Sequence, residues 1–468
     1  SVTPPEVTAW SKVSMIDAGR FDPATAYAAV NRLRLDDLRP HVYRTHDGGK
    51  TWQEIVHGLP ENGPVNTVRE DPVRRGLLFA GTEQAVFVSF NDGDSWQPLR
   101  LNMPATSIRD LVIHDDDVVV GTHGRSFWIL DDIAVLRELR AEIAEEPVRL
   151  FRPQATYRVR WNVNTDTPLP PEEPVAKNPP DGAIIDYYLK SAAAGPVTLE
   201  ILDDAGKLVR RFASTDRPEP VAEKDLDIPT YWLRPPQILP ATAGSHRLVW
   251  DLHYPSPPGP RRPYPLSAIY RDTPAEPRGP WVLPGEYKVK LTVNGQSRIQ
   301  PLLIRMDPRV HVSQEELAQQ FALSMQCYQG MSEVHQAQEE IRKLRAKVKE
   351  RREQLKSGPL ADALAALDAK AAAIEGGRGP RRRGMPQTER PPGSEATSLT
   401  RVFGEFSAVY DILQEADAAP TTQAVAAGGE VLRNWQKLRE RWSQFKQKEI
   451  QDLNHRLGES GHSPITTE

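Results

Sequence analysis

The chain has 468 residues, room for about three domains of the usual ~100–200 residues each. Its 59 Lys+Arg nearly balance 63 Asp+Glu, giving a net charge of −4, so no global charge draws it to nucleic acid or to an anionic membrane. A single cysteine, Cys327, excludes an intrachain disulfide and a Cys-based metal site, no stretch reaches the ~20 apolar residues of a spanning helix, and 43 prolines point to long extended loops rather than a compact helical enzyme. The opening residues Ser1-Val2-Thr3-Pro4-Pro5 lack the basic start and apolar core of a signal peptide. If the protein is secreted, its signal lies upstream or has been removed.

Residues 1–147 read as short strands separated by turns, and they repeat. Thr45-His46-Asp47-Gly48-Gly49-Lys50-Thr51-Trp52 returns 44 residues later as Ser89-Phe90-Asn91-Asp92-Gly93-Asp94-Ser95-Trp96, each copy following an aromatic strand end, Tyr43 or Phe87. Ala80-Gly81-Thr82 to Phe87 returns 40 residues later as Val120-Gly121-Thr122 to Phe127, and Asp22-Pro23 is matched by Asp71-Pro72. A period of about 40–50 residues with several short strands per unit is the mark of a propeller blade. The octapeptide suits a tight turn: Gly48, Gly49 and Gly93 tolerate positive φ, Asp47 or Asn91 can accept from the turn's own N–H groups, and Thr45 or Ser89 adds a hydroxyl. Trp52 and Trp96 are expected to bury their rings between adjacent sheets.

Ser/Thr-x-Asp-x-Gly-x-Thr-Trp resembles the Asp-box of sialidases, sortilin-type receptors and related propellers. The first copy (Thr45, Asp47, Gly49, Thr51, Trp52) matches fully; the second (Ser89, Asn91, Gly93, Ser95, Trp96) has Asn in place of Asp. In those families the box is a structural turn away from the ligand face, and the resemblance implies the same role here. The third unit, Gly121-Thr122-His123-Gly124-Arg125-Ser126-Phe127-Trp128-Ile129-Leu130-Asp131-Asp132, carries no box. It resembles the last blade of large bacterial BNR-repeat proteins often labelled glycosyl hydrolases, as Val2-Thr3-Pro4 with Trp10 resembles an internal blade start. The resemblance covers nearly the whole chain. It implies the carboxy-terminal half of a secreted or periplasmic, cell-envelope protein, with the last three or so blades of a β-propeller in residues 1–147. Three blades do not close a ring, so the apolar face from Val13 to Ile16 is expected to meet further blades. These would come from an N-terminal propeller segment of the same gene product, a cleaved fragment or a separate chain.

Residues 148–311 read as an Ig-like β-sandwich with Pro-rich interruptions at 165–181 and 254–284. Ile185, Tyr187 and Leu189 share one face, followed by Val197, Leu199 and Ile201, then Leu208 and Phe212 after the turn Asp203-Asp204-Ala205-Gly206. Tyr287, Val289, Leu291 and Val293 alternate before the hairpin signal Asn294-Gly295. The module resembles Ig-like domains of the same bacterial group and of flagellar hook-capping proteins. Residues 312–458 switch to helical spacing and predict an antiparallel bundle of four helices. The first opens on a capping box at Ser313 and Glu316, with a stripe of Leu317, Phe321, Met325, Tyr328, Met331 and Val334; the others span 360–374, 398–416 (Val402, Phe406, Val409, Leu413) and 421–457 (Val425, Leu432, Trp435, Leu438, Trp442, Phe445). The loop 376–397, with Arg378, Arg381, Arg382 and Arg383, reads as disordered and solvated, with an acidic partner as the alternative; 459–468 is a tail.

Candidate chemistry is sparse. A sialidase-type site needs three converging arginines, and Arg69, Arg109 and Arg125 sit at blade positions with Glu70, Asp110 and Asp131 near them. His123, with those arginines, is the candidate for a channel-face ligand site. His114-Asp115-Asp116-Asp117 offers oxygens for a cation but reads better as a hairpin turn. No Gly-x-Ser-x-Gly elbow or phosphate loop occurs. The sequence thus points to a non-catalytic extracellular binding or scaffold protein with no cofactor, no metal, no nucleic acid and no membrane span, its ligand a protein or a glycan. A secreted BNR/sialidase-like glycoside hydrolase is the alternative.

Overall fold

A computed structural model describes residues 2–160, 179–218, 221, 223–226, 228–259, 271–274, 276–355, 357–376 and 397–465. Most of the 165–181 stretch, residues 260–270 and the four arginines at 378, 381, 382 and 383 lie outside them.

Three antiparallel meanders come first. The first sheet is β1 (Lys12–Ala18), β2 (Ala26–Asn31), β3 (Val42–Thr45) and β4 (Gln53–Glu54); the second is β5 (Val65–Glu70), β6 (Leu78–Thr82), β7 (Val86–Ser89) and β8 (Gln97–Pro98). The third has β9 (Ile108–His114), β10 (Asp117–Thr122) and β11 (Phe127–Leu130). Each sheet keeps sequence order, as short hairpin connections dictate. The second sheet is apolar on both faces because both are covered. Leu78, Ala80 and Phe87 join a core with Tyr27 and Val42 of the first sheet, while Leu77, Phe79 and Val88 join Ile108, Leu111 and Val118 of the third. Fully burying each such side chain contributes ~1.5–3 kcal/mol. Helix α1 (Ala134–Glu138) closes this part, where Arg137 Nε reaches Asp71 Oδ2 at 2.9 Å and its Nη1 reaches Asp116.

Two further sheets follow. One has order β12-β14-β17 (Val148–Leu150, Ala183–Leu189, Gly244–Trp250). The other has order β13-β19-β18-β15-β16 (Thr156–Arg158, Gln296–Met306, Gly285–Val293, Thr198–Leu202, Leu208–Ala213). Ile185, Tyr187 and Leu189 pack against Leu199, Ile201, Val289 and Leu291 across the gap. Asn294 (φ 50°) and Gly295 (φ 79°) form the two-residue turn that pairs Val293 with Gln296. The register after Asp203–Gly206 differs from the expectation. A bulge between Ile201 and Leu202 shifts β16, so Leu208 is 47% exposed and Val209 takes the core position.

The helical region comprises α2 (Gln314–Leu355), α3 (Pro359–Glu375), α4 (Leu399–Gln414), α5 (Thr422–Phe445) and α6 (Gln451–Glu459), sharing one apolar core. The capping box forms: Glu316 N donates to Ser313 Oγ at 3.2 Å and Ser313 N to Glu316 Oε2 at 2.9 Å. Three details depart from the periodicity. The buried stripe of α2 begins Leu317, Gln320, Ser324, Cys327, with Phe321, Met325 and Tyr328 flanking it; Phe321 instead meets Tyr254 beside the sheets, ring centres 5.9 Å apart. Val425 is 52% exposed because Ala424, Gly428 and Val431 face the core. The expected last helix is broken by a π-helical turn at Lys446–Ile450, which rotates Ile450 and Leu453 into the core. Cys327 is fully buried, and burial pushes its thiol up to about 12.

Helices and sheets are joined by charge. Arg158, at the end of β13, donates from Nη2 to Asp417 Oδ1 and from Nη1 to the Val282 carbonyl at 2.8 Å. Arg160 Nε meets the same Asp417 at 2.8 Å. Both guanidiniums lie over the Trp281 ring, 5.4 and 5.3 Å from its centre.

Candidate functional site

The box turns spend their polar groups on themselves. In the first, Thr45 Oγ1 donates to Asp47 Oδ1 at 2.9 Å and accepts from Gly49 N at 3.0 Å. Asp47 also accepts from Thr51 N at 2.9 Å and Thr51 Oγ1 at 2.7 Å. The Thr51 backbone and side-chain bonds hold the Asp47 carboxyl down at about 2. In the second, Ser89 Oγ donates to Asn91 Oδ1 at 2.9 Å, Gly93 N to Ser89 Oγ at 2.9 Å and Ser95 N to Asn91 Oδ1 at 3.0 Å. The Asn amide then donates to Ser95 Oγ at 3.0 Å, reversing the polarity of the Asp47–Thr51 contact. Gly93 has φ 89°, and a Cβ there would stand 2.4 Å from Ile55.

The two tryptophans differ. Trp96 is buried and donates to the Ile55 carbonyl at 2.8 Å. Trp52 is half-buried and donates to the Val2 carbonyl at 2.6 Å, so the incoming N-terminal segment covers it in place of a neighbouring sheet.

Asp92, a box position that the motif leaves unspecified, ties the first two sheets together. It sits at φ 61° and receives Tyr27 OH; Arg44 Nη1 reaches its carbonyl at 2.6 Å and its carboxylate at 3.2 Å. His46 Nε2 stands 2.9 Å from Asp92 Oδ2, and Thr25 Oγ1 stands 2.9 Å from His46 Nδ1. Burial, then the Asp92 bond and charge, push the Tyr27 phenol well above its ordinary value. A cleft of about 430 Å³ opens here beside Phe21, Phe90 and Glu70. The sequence carries one signal for this cluster: a His and an Asp at box positions of consecutive repeats.

The candidate arginines hold different partners. Arg69 links three sheets, from Nε to the Leu111 carbonyl at 2.8 Å, Nη1 to Asp17 at 3.3 Å and Nη2 to Asp110 at 3.3 Å. Glu70 is buried and accepts from Arg20 N at 2.7 Å and Gly76 N at 3.3 Å. Arg109 Nη1 reaches Glu83 Oε1 at 3.0 Å, which also accepts from Asn66 Nδ2 at 3.0 Å; Asn66 in turn accepts from Asn31 Nδ2 at 2.7 Å. Burial pushes the Glu83 carboxyl up, but hydrogen bonding, with Asn66 the bonded donor, and the charges of Arg109 and His123 outweigh it and hold it low. So Arg109 pairs with Glu83, a residue that repeat matching does not single out, while His123 is exposed and its N–H donates to the Ser107 carbonyl at 2.9 Å. Arg125 is exposed in the β10–β11 turn, where its N–H donates to Thr122 Oγ1 at 3.1 Å and its carbonyl accepts from Trp128 Nε1 at 2.9 Å.

Residues His114–Asp117 form the β9–β10 hairpin, with Asp115 at φ 51° and Asp117 paired to His114. Burial and then Asp117 push the Asp131 carboxyl up, and burial lifts Asp132 to about 6. Asp132 Oδ1 accepts from Ala134 N at 2.9 Å and from Gln154 Nε2.

No family model matches the chain, and no curated protein does. Among solved structures it is similar to one described as YCF48 bound to D1 peptide, at 16% identity and TM-score 0.21, covering 26% of this chain and 36% of that one. It is similar also to the GH74 enzyme of Niastella koreensis at 14% identity and TM-score 0.22, covering 39% and 27% respectively. An ancestral GH74 enzyme gives 13%, 0.19, 43% and 27%. The chain thus matches 27–36% of the length of these distant, propeller-type neighbours.

Proposed function

We propose that the chain forms part of an extracellular or cell-envelope binding and scaffold protein. In this reading its three meanders are blades of an Asp-box β-propeller that recognises a protein or a glycan. The following sheets are an Ig-like sandwich and the helices an antiparallel bundle, both serving assembly. The carrying observation is the outer face of the third sheet. Val119 pairs with Val112 on one side and Ile129 on the other, giving an apolar row across three strands, with Phe127 one step along. Val112, Ile129 and Phe127 are 46%, 56% and 76% exposed. The second sheet buries its matching face against the third. The occupant that fits is a further meander of the same repeat, in an N-terminal propeller segment of the same gene product, a cleaved fragment or a separate chain. On the far side of the stack, Val13 and Ile16 of β1 are 45% and 63% exposed and suit the same kind of neighbour.

A glycoside hydrolase needs two carboxylates flanking a sugar bond. Glu70 is committed to backbone amides and Asp110 to Arg69 and the Leu111 amide, so the binding reading is preferred. The test is native mass with peptide identification on protein taken from its natural host. The expected result is either a companion polypeptide carrying further boxes, lost in a Phe127→Asp/Ile129→Lys variant, or a covalent extension carrying them, which that variant leaves attached but undocked. A lone, monodisperse 52.4 kDa species sinks the reading.

A further inference from the structure

Strand β16 is one edge of the five-stranded sheet and β17 one edge of the three-stranded sheet. Between them lies a cleft of about 970 Å³ lined by Arg210, Arg211, Arg217, Arg234, Arg271 and Arg278. Among the described residues, only two carboxylates, Asp216 and Asp251, line it. Part of this charge, on Arg210 and Arg217, has no bonded carboxylate among the described residues. Arg234 is committed to Asp181 and Asp272, at 2.8 Å each, and Arg278 to Glu276 at 3.3 Å. Arg211 stands 3.9 Å from Asp216, and among the described residues Arg217 donates only to the Asp216 carbonyl, at 3.0 Å. Arg210 lies 5.2 Å from the Phe212 ring centre and has no carboxylate partner among the described residues. Asp251 lies in the field of Arg210, Arg234 and Arg278, and burial still raises its carboxyl.

Beyond the arginines the lining carries the hydroxyls of Thr230, Tyr231 and Ser256 and a single amide. Gln237 is the one amide side chain there, and both its ends are taken by Val249, Oε1 by the N–H at 2.9 Å and Nε2 by the carbonyl at 2.7 Å. That contact also blunts the β17 edge, whereas β16 pairs with β15 alone among the described strands. Tyr231, 43% exposed, and several prolines complete an apolar wall.

We propose that this cleft binds an acidic peptide in extended form, laid along the β16 edge with carboxylates on Arg210 and Arg217. The site is separate from the propeller reading and stands without it. The experiment is fluorescence anisotropy on the full chain with a labelled ten-residue peptide alternating Glu and Val, its Gln/Val counterpart, and a uronic-acid oligosaccharide, each at about 0.05 and 0.5 M NaCl. The Glu peptide is expected to bind, at least ten-fold tighter than the Gln peptide, and to weaken with salt. Arg210→Gln and Arg217→Gln should each weaken it about ten-fold, the size of one charge-assisted bond. Arg298→Gln, on the exposed part of β19, should leave it unchanged. Equal binding of both peptides, indifference to Arg210→Gln and Arg217→Gln, or capture of the uronate in place of the peptide overturns the proposal. Should the variants fail to fold by near-ultraviolet circular dichroism, the comparison of peptides and salt on the unaltered chain decides.

Discussion

Asp47 and Asn91 occupy the same place in two successive turns, and only the first can take up a proton. A carboxyl held low stabilises the fold above its unfolded value of 3.8 and loses that contribution as pH falls toward about 2. The first turn should therefore loosen in acid while the second does not. Asp47→Asn should keep the melting temperature near neutrality and abolish the acid loss, followed by Trp fluorescence between pH 5 and 2; Asp47→Ala should lower it throughout. Asp132 works in the opposite sense. Its folded value of about 6 exceeds the ordinary 3.8, so the folded state binds the proton more tightly and stability rises as pH falls from 7 toward 4. Asp132→Asn, which preserves the acceptor for Ala134 N, should stabilise the protein at pH 7 by at most about 3 kcal/mol and show no gain at pH 4 in thermal melts. The boxes were legible because turn chemistry is local. Glu83 and Asp92 were not, because their partners come from other strands, and one-dimensional spacing does not reveal which loop ends converge.

At the scale of elements, periodicity located the described C-terminal helices but missed the break at Lys446–Ile450, and it erred by a residue or two in facing. Position 330 shows why. Gly330 lets α2 approach α4 so closely that an added Cβ would stand 2.4 Å from the buried Phe406 ring. That close approach favours small and polar residues at Gln320, Ser324 and Gly330 on the inner face, and a hydrophobicity pattern passes over all three. Gly330→Ala gains helix propensity of about 1 kcal/mol but overpacks the contact. The expected net result is a loss of ~1–2 kcal/mol in urea unfolding, relieved in a Gly330→Ala/Phe406→Leu double variant. In the sheets, alternation placed Ile185, Tyr187 and Leu189 correctly and failed at Leu208, since a bulge inserts a residue without leaving a compositional trace.

At the scale of the whole molecule, the joint between sheets and helices depends on residues 259 positions apart, Arg158 and Asp417, a relation that no sequence pattern encodes. Both side chains are 3% exposed. Asp417→Ala strands the buried guanidinium of Arg158 and the partly buried one of Arg160 and should cost ~3–5 kcal/mol. Two denaturation transitions should then replace one, the helices melting apart from the sheets, as read by circular dichroism at helical and aromatic wavelengths. The solitary thiol offers a way to watch this from within. Cys327 lies sealed in the helical core and is almost never a thiolate, so maleimide or disulfide reagents modify it only when that core opens. Its modification rate near neutral pH is thus a built-in measure of how often the helical region breathes, and the difference between wild type and Asp417→Ala gives the restraint that the sheets impose on it.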